Sequence, residues 1–204
     1  YSSAAAGSGI SITMSNSVSG TNVSTNYLFT QPVLTGSISR AALGVSAEAT
    51  YASSTSVTPS SATLTGLVAA DSAAMVTNLV LSSANVGGGL YATGLTLSNG
   101  AQANYVLNGS SNTTLGTDTT NTVALNKATL TITGTVSPSK TYDGTTIATI
   151  TGGTLNGVQG SDVVTLNQSG VYSSAAAGSG ISITMSNSVS GTNVSTNYLF
   201  TQPV

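Results

Sequence analysis

Tandem small β modules, with at most one short helix in each, are the fold this sequence predicts: an all-β or β-dominated chain. Three observations predict it. Residues 172–204, YSSAAAGSGISITMSNSVSGTNVSTNYLFTQPV, repeat residues 1–33 without a change, so the chain carries a period of 171 residues (Tyr1 to Tyr172). Self-similarity at a fixed spacing marks a repeat architecture and frames every other assignment. Apolar and polar residues also alternate in short runs, the pattern of half-buried strands. Lastly, Ser, Thr, Gly, Ala and Asn dominate, only 4% of residues are charged, and hydrophobic residues reach 39%. A chain of that kind carries neither the net charge nor the Pro and Glu content of a disordered one, and it folds around small cores.

Residues 1–33 read as the C-terminal half of a module, so the chain starts inside one repeat and ends at the same point of the next. Ile10–Met14 alternates as a strand, Ser19–Asn22 supplies a turn, and Asn26–Thr30 is a second β-prone run closed by Pro32, which cannot donate to a ladder. A strand needs a partner to hold its shape. This copy is therefore expected to match 172–204 only where it finds equivalent neighbours, if necessary in an adjacent copy.

Residues 34–108 form a complete module that aligns on the one after it. Tyr51 meets Tyr142, Leu64 meets Leu155, Gly66 meets Gly157 and Asp71 meets Asp162; after a slip of two residues, Asn104-Tyr105 meets Asn197-Tyr198. Residues 109–124, GSSNTTLGTDTTNTVA, have no counterpart and read as a linker or extended loop. The second full module is 125–204. Its opening run Ala128–Thr133 alternates cleanly, and further strands are expected at 147–151, 163–166 and 181–185. Turns fall at Asp143-Gly144, Gly152-Gly153 and Asn156-Gly157, pairs that favour positive φ. Val68–Met75 is the best helix candidate, whereas its counterpart 159–166 carries the β-branched residues of a strand.

Chemistry has little to work with. His and Cys are absent, which removes disulfides, thiolate metal sites and the usual general base, and no enzyme is expected. The five acids, Glu48, Asp71, Asp118, Asp143 and Asp162, are scattered singly, whereas calcium asks for several carboxylates together. No metal or cofactor is expected. Asp71 and Asp162 share a slot that suits a turn or cap side chain bonding local N–H groups. The tyrosines Tyr27, Tyr51, Tyr105, Tyr142 and Tyr198 are expected in the core, since a small module must bury what aromatics it has. Lys127 and Lys140 could in principle join an Asn or Asp covalently, though a solvated Lys is the usual case. With three basic residues in all, nucleic acid is set aside as a partner. No apolar run approaches the ~20 residues of a bilayer span, and membrane insertion is set aside too.

The motif set Lys140-Thr141-Tyr142-Asp143-Gly144-Thr145-Thr146, Gly153–Val158, Gly160–Val164 and Asn197-Tyr198-Leu199 resembles the YDG-type repeat domain. The resemblance covers 125–204. The module 34–108 keeps Tyr51 but has Ala52-Ser53 where the other has Asp143-Gly144, and looks like a degenerate sibling. The resemblance implies a β-grasp-like or β-sandwich-like module found in arrays in large secreted bacterial adhesins, filamentous-haemagglutinin-like proteins among them. It also implies an extracellular location at the bacterial surface or in a matrix. The repeat-motif positions, with structural roles, are Tyr51, Gly66, Asp71, Asn104, Tyr105, Tyr142, Asp143, Gly144, Gly157, Asp162, Asn197 and Tyr198.

The function expected is that of a structural repeat, as stalk or self-assembling filament body. Its partners are neighbouring copies of the same repeat, in the same chain or an adjacent one. Two alternatives stay open: a module that itself binds a carbohydrate or host protein, and a sheath or S-layer-type subunit.

Overall fold

The computed structural model describes residues 1–107, 121–137 and 139–202. Most of the stretch read as a linker, together with Asp118, lies outside the described residues. Those described are β-dominated, with many small sheets and two helices of one turn each.

In the N-terminal copy, β1 (Gly7–Ile12) pairs antiparallel with β2 (Leu34–Ile38), and α1 (Val23–Asn26) follows β1 along the chain. The middle module contains β3 (Ala41–Thr50), β4 (Ser56–Val57), β5 (Ser61–Thr65), β6 (Val76–Leu81), β7 (Ala92–Leu97) and β8 (Tyr105–Leu107). Next come β9 (Val123–Asn126) and the last module: β10 (Ala128–Thr133), β11 (Ile147–Ala148), β12 (Thr154–Asn156), β13 (Thr165–Asn167), β14 (Gly170–Tyr172), β15 (Ile183–Met185), β16 (Ser188–Ser190), α2 (Val194–Asn197) and β17 (Tyr198–Phe200).

The two modules are wired alike, down to the register. In the first, β3 is flanked by antiparallel β5 and parallel β8, with Val45 opposite Leu64 and Ala41 opposite Tyr105. In the second, β10 is flanked by antiparallel β12 and parallel β17, with Ile132 opposite Leu155 and Ala128 opposite Tyr198. A second small sheet lies beside each: β4-β6-β7 in the middle module and β11-β14-β15 in the last. The long β6–β7 hairpin has no single counterpart. Its place is taken by two short pairs, β13–β16 and β14–β15. Ser186-Asn187 separates β15 from β16, and the buried Asn187 accepts the Ser169 amide through Oδ1. The two-residue slip in the alignment falls in this segment.

Alternation decides which faces are buried. In β10, Ala128, Leu130 and Ile132 are buried while Thr129, Thr131 and Thr133 are exposed; β3 buries Val45, Ala47 and Ala49 in the same way. One apolar cluster runs through both modules, from Val45, Leu79 and Leu81 to Leu125, Leu130, Val194 and Tyr198. Backbone pairing joins them as well, because β9 lies parallel to the second half of β3, from Ala47↔Val123 to Thr50↔Asn126. Residues 123–124, read as the end of the linker, thus begin a strand. Ahead of them, the buried Asn121 accepts the Val45 amide through its side chain and the Ala92 amide through its carbonyl.

Other expectations shift. Val68–Met75 does not form an α-helix; a 3-10 turn covers Ala69–Asp71 only, too short a run to meet the cost of nucleation by itself. The strands expected at 147–151, 163–166 and 181–185 appear as β11, β13 and β15, shorter or displaced by about two residues. The N-terminal copy repeats the local turn of the last one, with Asn22 at φ 61 and Asn193 at φ 57 ahead of α1 and α2. It does not repeat the strand. Tyr198–Phe200 pairs with β10 and Tyr198 is 4% exposed, while the identical Tyr27–Phe29 forms no strand and Tyr27 is 72% exposed. The physical reason is that, among the described residues, no strand lies beside Tyr27–Phe29 to supply the partner edge that β10 gives Tyr198–Phe200.

Gly66 and Gly157 end β5 and β12 at φ 89 and φ 90. A Cβ there would run into the carbonyl oxygen of Ala42 or of Thr129 on the neighbouring strand. Both the left-handed backbone and the close approach demand glycine. We expect Gly157→Ala to lower stability by more than about 2 kcal/mol, through strain plus displacement of β10. Chemical denaturation of the whole chain measures it, and a change under about 0.5 kcal/mol would refute the close-approach account.

Candidate functional site

A cluster of polar side chains lies where the two modules meet. Asp162 sits in the turn after Gly160 and its carboxylate receives three hydroxyls. Tyr198 donates to Oδ2 at 2.6 Å, Tyr51 donates to the same oxygen at 2.8 Å, and Ser53 donates to Oδ1 at 2.7 Å. The Gln159 amide in turn donates to the Tyr198 hydroxyl at 2.9 Å. Tyr51 and Ser53 belong to the middle module, Asp162 and Tyr198 to the last. The two tyrosine rings meet edge to face, centroids 5.2 Å apart at 76°, a favoured aromatic geometry.

Local structure places each group. Tyr51 follows β3 directly and Tyr198 opens β17, so both rings are held by the ends of ladders. Ser53 has φ 54, and Gly144, at the aligned position, has φ 73. A serine tolerates this left-handed backbone at a cost, and here it turns its hydroxyl onto the next module's carboxylate.

The electrostatics follow from the donors. Hydrogen bonds from Tyr198, then Ser53, then Tyr51 hold Asp162 below the usual carboxylate range. Burial, then the Asp162 carboxylate, push the Tyr198 hydroxyl up to about 12 and raise Tyr51 as well.

A second clasp lies alongside. The buried Asn197 accepts the Val86 amide through Oδ1 at 2.9 Å and donates through Nδ2 to Asn85 Oδ1 at 2.8 Å. Asn85-Val86 belong to an arm of the middle module shaped by Ser83 Oγ accepting the Asn85 amide.

Half of this cluster recurs within the middle module. Tyr105 donates to Asp71 Oδ2 at 2.7 Å, and the Val68 amide donates to the Tyr105 hydroxyl at 3.1 Å. These match Tyr198, Asp162 and Gln159. Asp71 Oδ1 is met by Asn99 Nδ2 at 2.9 Å rather than by a serine. Asn104, the counterpart of Asn197, accepts the Ala6 amide at 2.9 Å. Ala6 aligns on Val86, so the N-terminal copy rests on the middle module through the contact that the middle module makes with the last.

Several expectations are corrected here. Asp71 and Asp162 do not cap local N–H groups; their partners are tyrosine hydroxyls from distant strands. Asp143 is the one that bonds locally. It accepts the Thr145 amide and hydroxyl and pairs with Lys140 at 3.0 Å, and those groups hold it at about 2. Lys140 also donates to the Thr145 and Ile147 carbonyls, and Lys127 donates to the Ser195 carbonyl. Both lysine ends are exposed and tie loops. Tyr51, Tyr105 and Tyr198 are buried, but Tyr142 is 67% exposed and Tyr27 lies in solvent. Asp143 and Gly144 shape the loop that presents Tyr142. Ser53, Asn99 and the arm 83–86 belong to these clusters without being among the repeat-motif positions. Ser53 carried a signal, since it stands where its sibling has the glycine of a tight turn.

Among the described residues, no group of three or more His, Cys, Asp or Glu could hold a metal, and no helix is long and apolar enough to cross a membrane.

The last module carries its Tyr-Asp-Gly loop after β10 and ends on Asn-Tyr, with that Tyr bonded to an Asp ahead of β13. Residues 126–204 match the YDG domain. No curated protein and no solved structure matches the chain. In the YDG domain of this chain, the tyrosine of the Tyr-Asp-Gly triplet is a surface group, and the core tyrosine is Tyr198.

The joint has a pH signature. Asp162 is depressed, so its contribution is full above the ordinary carboxylate value and is lost as pH falls through its folded value. Tyr198 is raised, so its contribution is full below 10.0 and is lost as pH rises towards about 12. We expect a thermal midpoint that is flat between about pH 5 and 9 and falls on both sides. In Asp162→Asn the tyrosine absorbance titration should move to lower pH, because the carboxylate that opposes ionisation is gone. An unmoved titration would show that the Asp162 charge does not act on these phenols.

Proposed function

We propose that this chain is a structural repeat unit of a secreted bacterial surface adhesin or extracellular matrix fibre, with its modules in line as a stalk or filament body. The observation that supports it is the Asp162 joint. A carboxylate that accepts three hydroxyls ties one module to the next, through Tyr51 and Ser53 on one side and Asp162 and Tyr198 on the other. A shared apolar cluster and the β3–β9 ladder add to it. Such a joint suits a repeat whose stability comes from its own fold and its neighbours'. The extracellular setting, with its filamentous-haemagglutinin-like context, biofilm matrix included, rests on the YDG resemblance.

Small-angle scattering of the whole chain tests the reading. The two modules should behave as one rigid body whose dimensions hold from low salt to molar salt, since eight charged side chains leave little for a ~10 Å Debye length to screen. Tyr51→Phe should broaden the distance distribution. A glycan screen should be silent, and saturable binding there would favour the ligand-binding alternative.

A further inference from the structure

Tyr142 is the aligned counterpart of Tyr51, but it is exposed, and among the described residues the face that carries it meets no other module. With Ala175–Ala177 it lines a cavity of about 520 Å³ on the outer side of the last module. In the middle module the same pair of elements, Tyr51 and the arm Ser83–Val86, grips the module that follows. At the other end, Asp71 and Tyr105 border a cavity of about 330 Å³ roofed by Ala4–Ala6. There the N-terminal copy supplies the arm contact, from Ala6 to Asn104, without a tyrosine beside it.

We propose that the Tyr142 face of one chain docks on the Asp71–Tyr105 face of a second copy. Tyr142 donates to Asp71 Oδ2, and the incoming arm Ser174–Ala177 displaces the identical Ser3–Ala6.

Three observations converge on that partner. The three arms share one local shape, in which Ser3, Ser83 and Ser174 each accept an amide two residues on. Asn104 and Asn197 each accept the arm amide at 2.9 Å. The donors to the carboxylates are also matched across the two faces. Asp162 Oδ1 takes the Ser53 hydroxyl of the preceding module. Asp71 Oδ1 already has Asn99 from its own module, and Gly144, which stands where Ser53 does, offers no hydroxyl. A Tyr142–Gly144 face thus completes the Asp71 carboxylate without competition, as Tyr51–Ser53 completes Asp162. The docking rests on the repeat reading for its choice of partner and extends it from one chain to two.

Sedimentation of the full chain across a concentration series tests it, with substitutions that act oppositely on identical sequence. Ala6→Pro removes the amide that holds the N-terminal copy in place and should strengthen self-association. Ala177→Pro removes the same amide from the incoming arm and should weaken it. Tyr142→Phe, at an exposed side chain that leaves the fold untouched, should weaken it roughly tenfold or more, the usual effect of losing a hydrogen bond to a carboxylate. Circular dichroism confirms that each variant is folded; should Ala177→Pro not fold, Tyr142→Phe decides alone. Association that ignores Tyr142→Phe overturns the proposal, and so does a chain that stays monomeric at millimolar concentration even with Ala6→Pro. Either result leaves the rigid two-module scattering envelope, and with it the stalk reading, standing.

Discussion

Much of this molecule hangs on one carboxylate. Asp162 accepts hydroxyls from Tyr51 and Ser53 of one module and from Tyr198 of the next, so three hydrogen bonds to a charged group converge between them. Bonds of that class contribute about 1.5–3 kcal/mol each when partly shielded from water. In a chain with so few charges this is the strongest directional contact between the modules. The β3–β9 ladder and the shared apolar cluster bring the two units together, and the carboxylate fixes how their ends meet. Asn197, next to Tyr198 in the chain, adds a second anchor on Val86, and two separated anchors remove the freedom to swivel that one would leave.

The identical segments 1–33 and 172–204 separate what a sequence dictates alone from what it dictates only in company. The one-turn helix and its left-handed asparagine appear in both copies, because they depend on residues close in the chain. The strand does not. Leu199 and Phe200 sit in a ladder beside Thr129 and Leu130, while Leu28 is 95% exposed. β-structure in this chain is a property of pairs: Gly7–Ile12 finds one in Leu34–Ile38, and Tyr27–Phe29 finds none among the described residues.

The same distinction explains how far the sequence could be read. The period, the two-module repeat, the alternation of β10 and the glycine turns are local or self-similar features, and all were legible. Gly66 and Gly157 align on one another and share one left-handed turn. Less could be read of contacts between distant segments. Nothing in the spelling of Asp71 and Asp162 says that tyrosines reach them, and the cap reading was the nearest local alternative. Tyr51 and Tyr142 align, yet one is buried and the other is exposed, because Tyr51 meets Asp162 of another module while Tyr142 meets no such group among the described residues. The short 3-10 turn at Ala69–Asp71 is a related case, since alanine propensity cannot sustain a helix where Asp71 is held by Tyr105 and Asn99.

In each module the first and last strands of the main sheet are neighbours and run parallel: β3 beside β8, and β10 beside β17. A pull along the array draws the first strand back by its N-terminal end and the last one forward by its C-terminal end. The two then slide past one another, and the ladder between them is loaded in shear, with every hydrogen bond sharing the force at once. An antiparallel terminal pair would instead peel open one bond at a time. The connectivity therefore sets each module to resist stretching in shear, a mechanical strength that comes from topology.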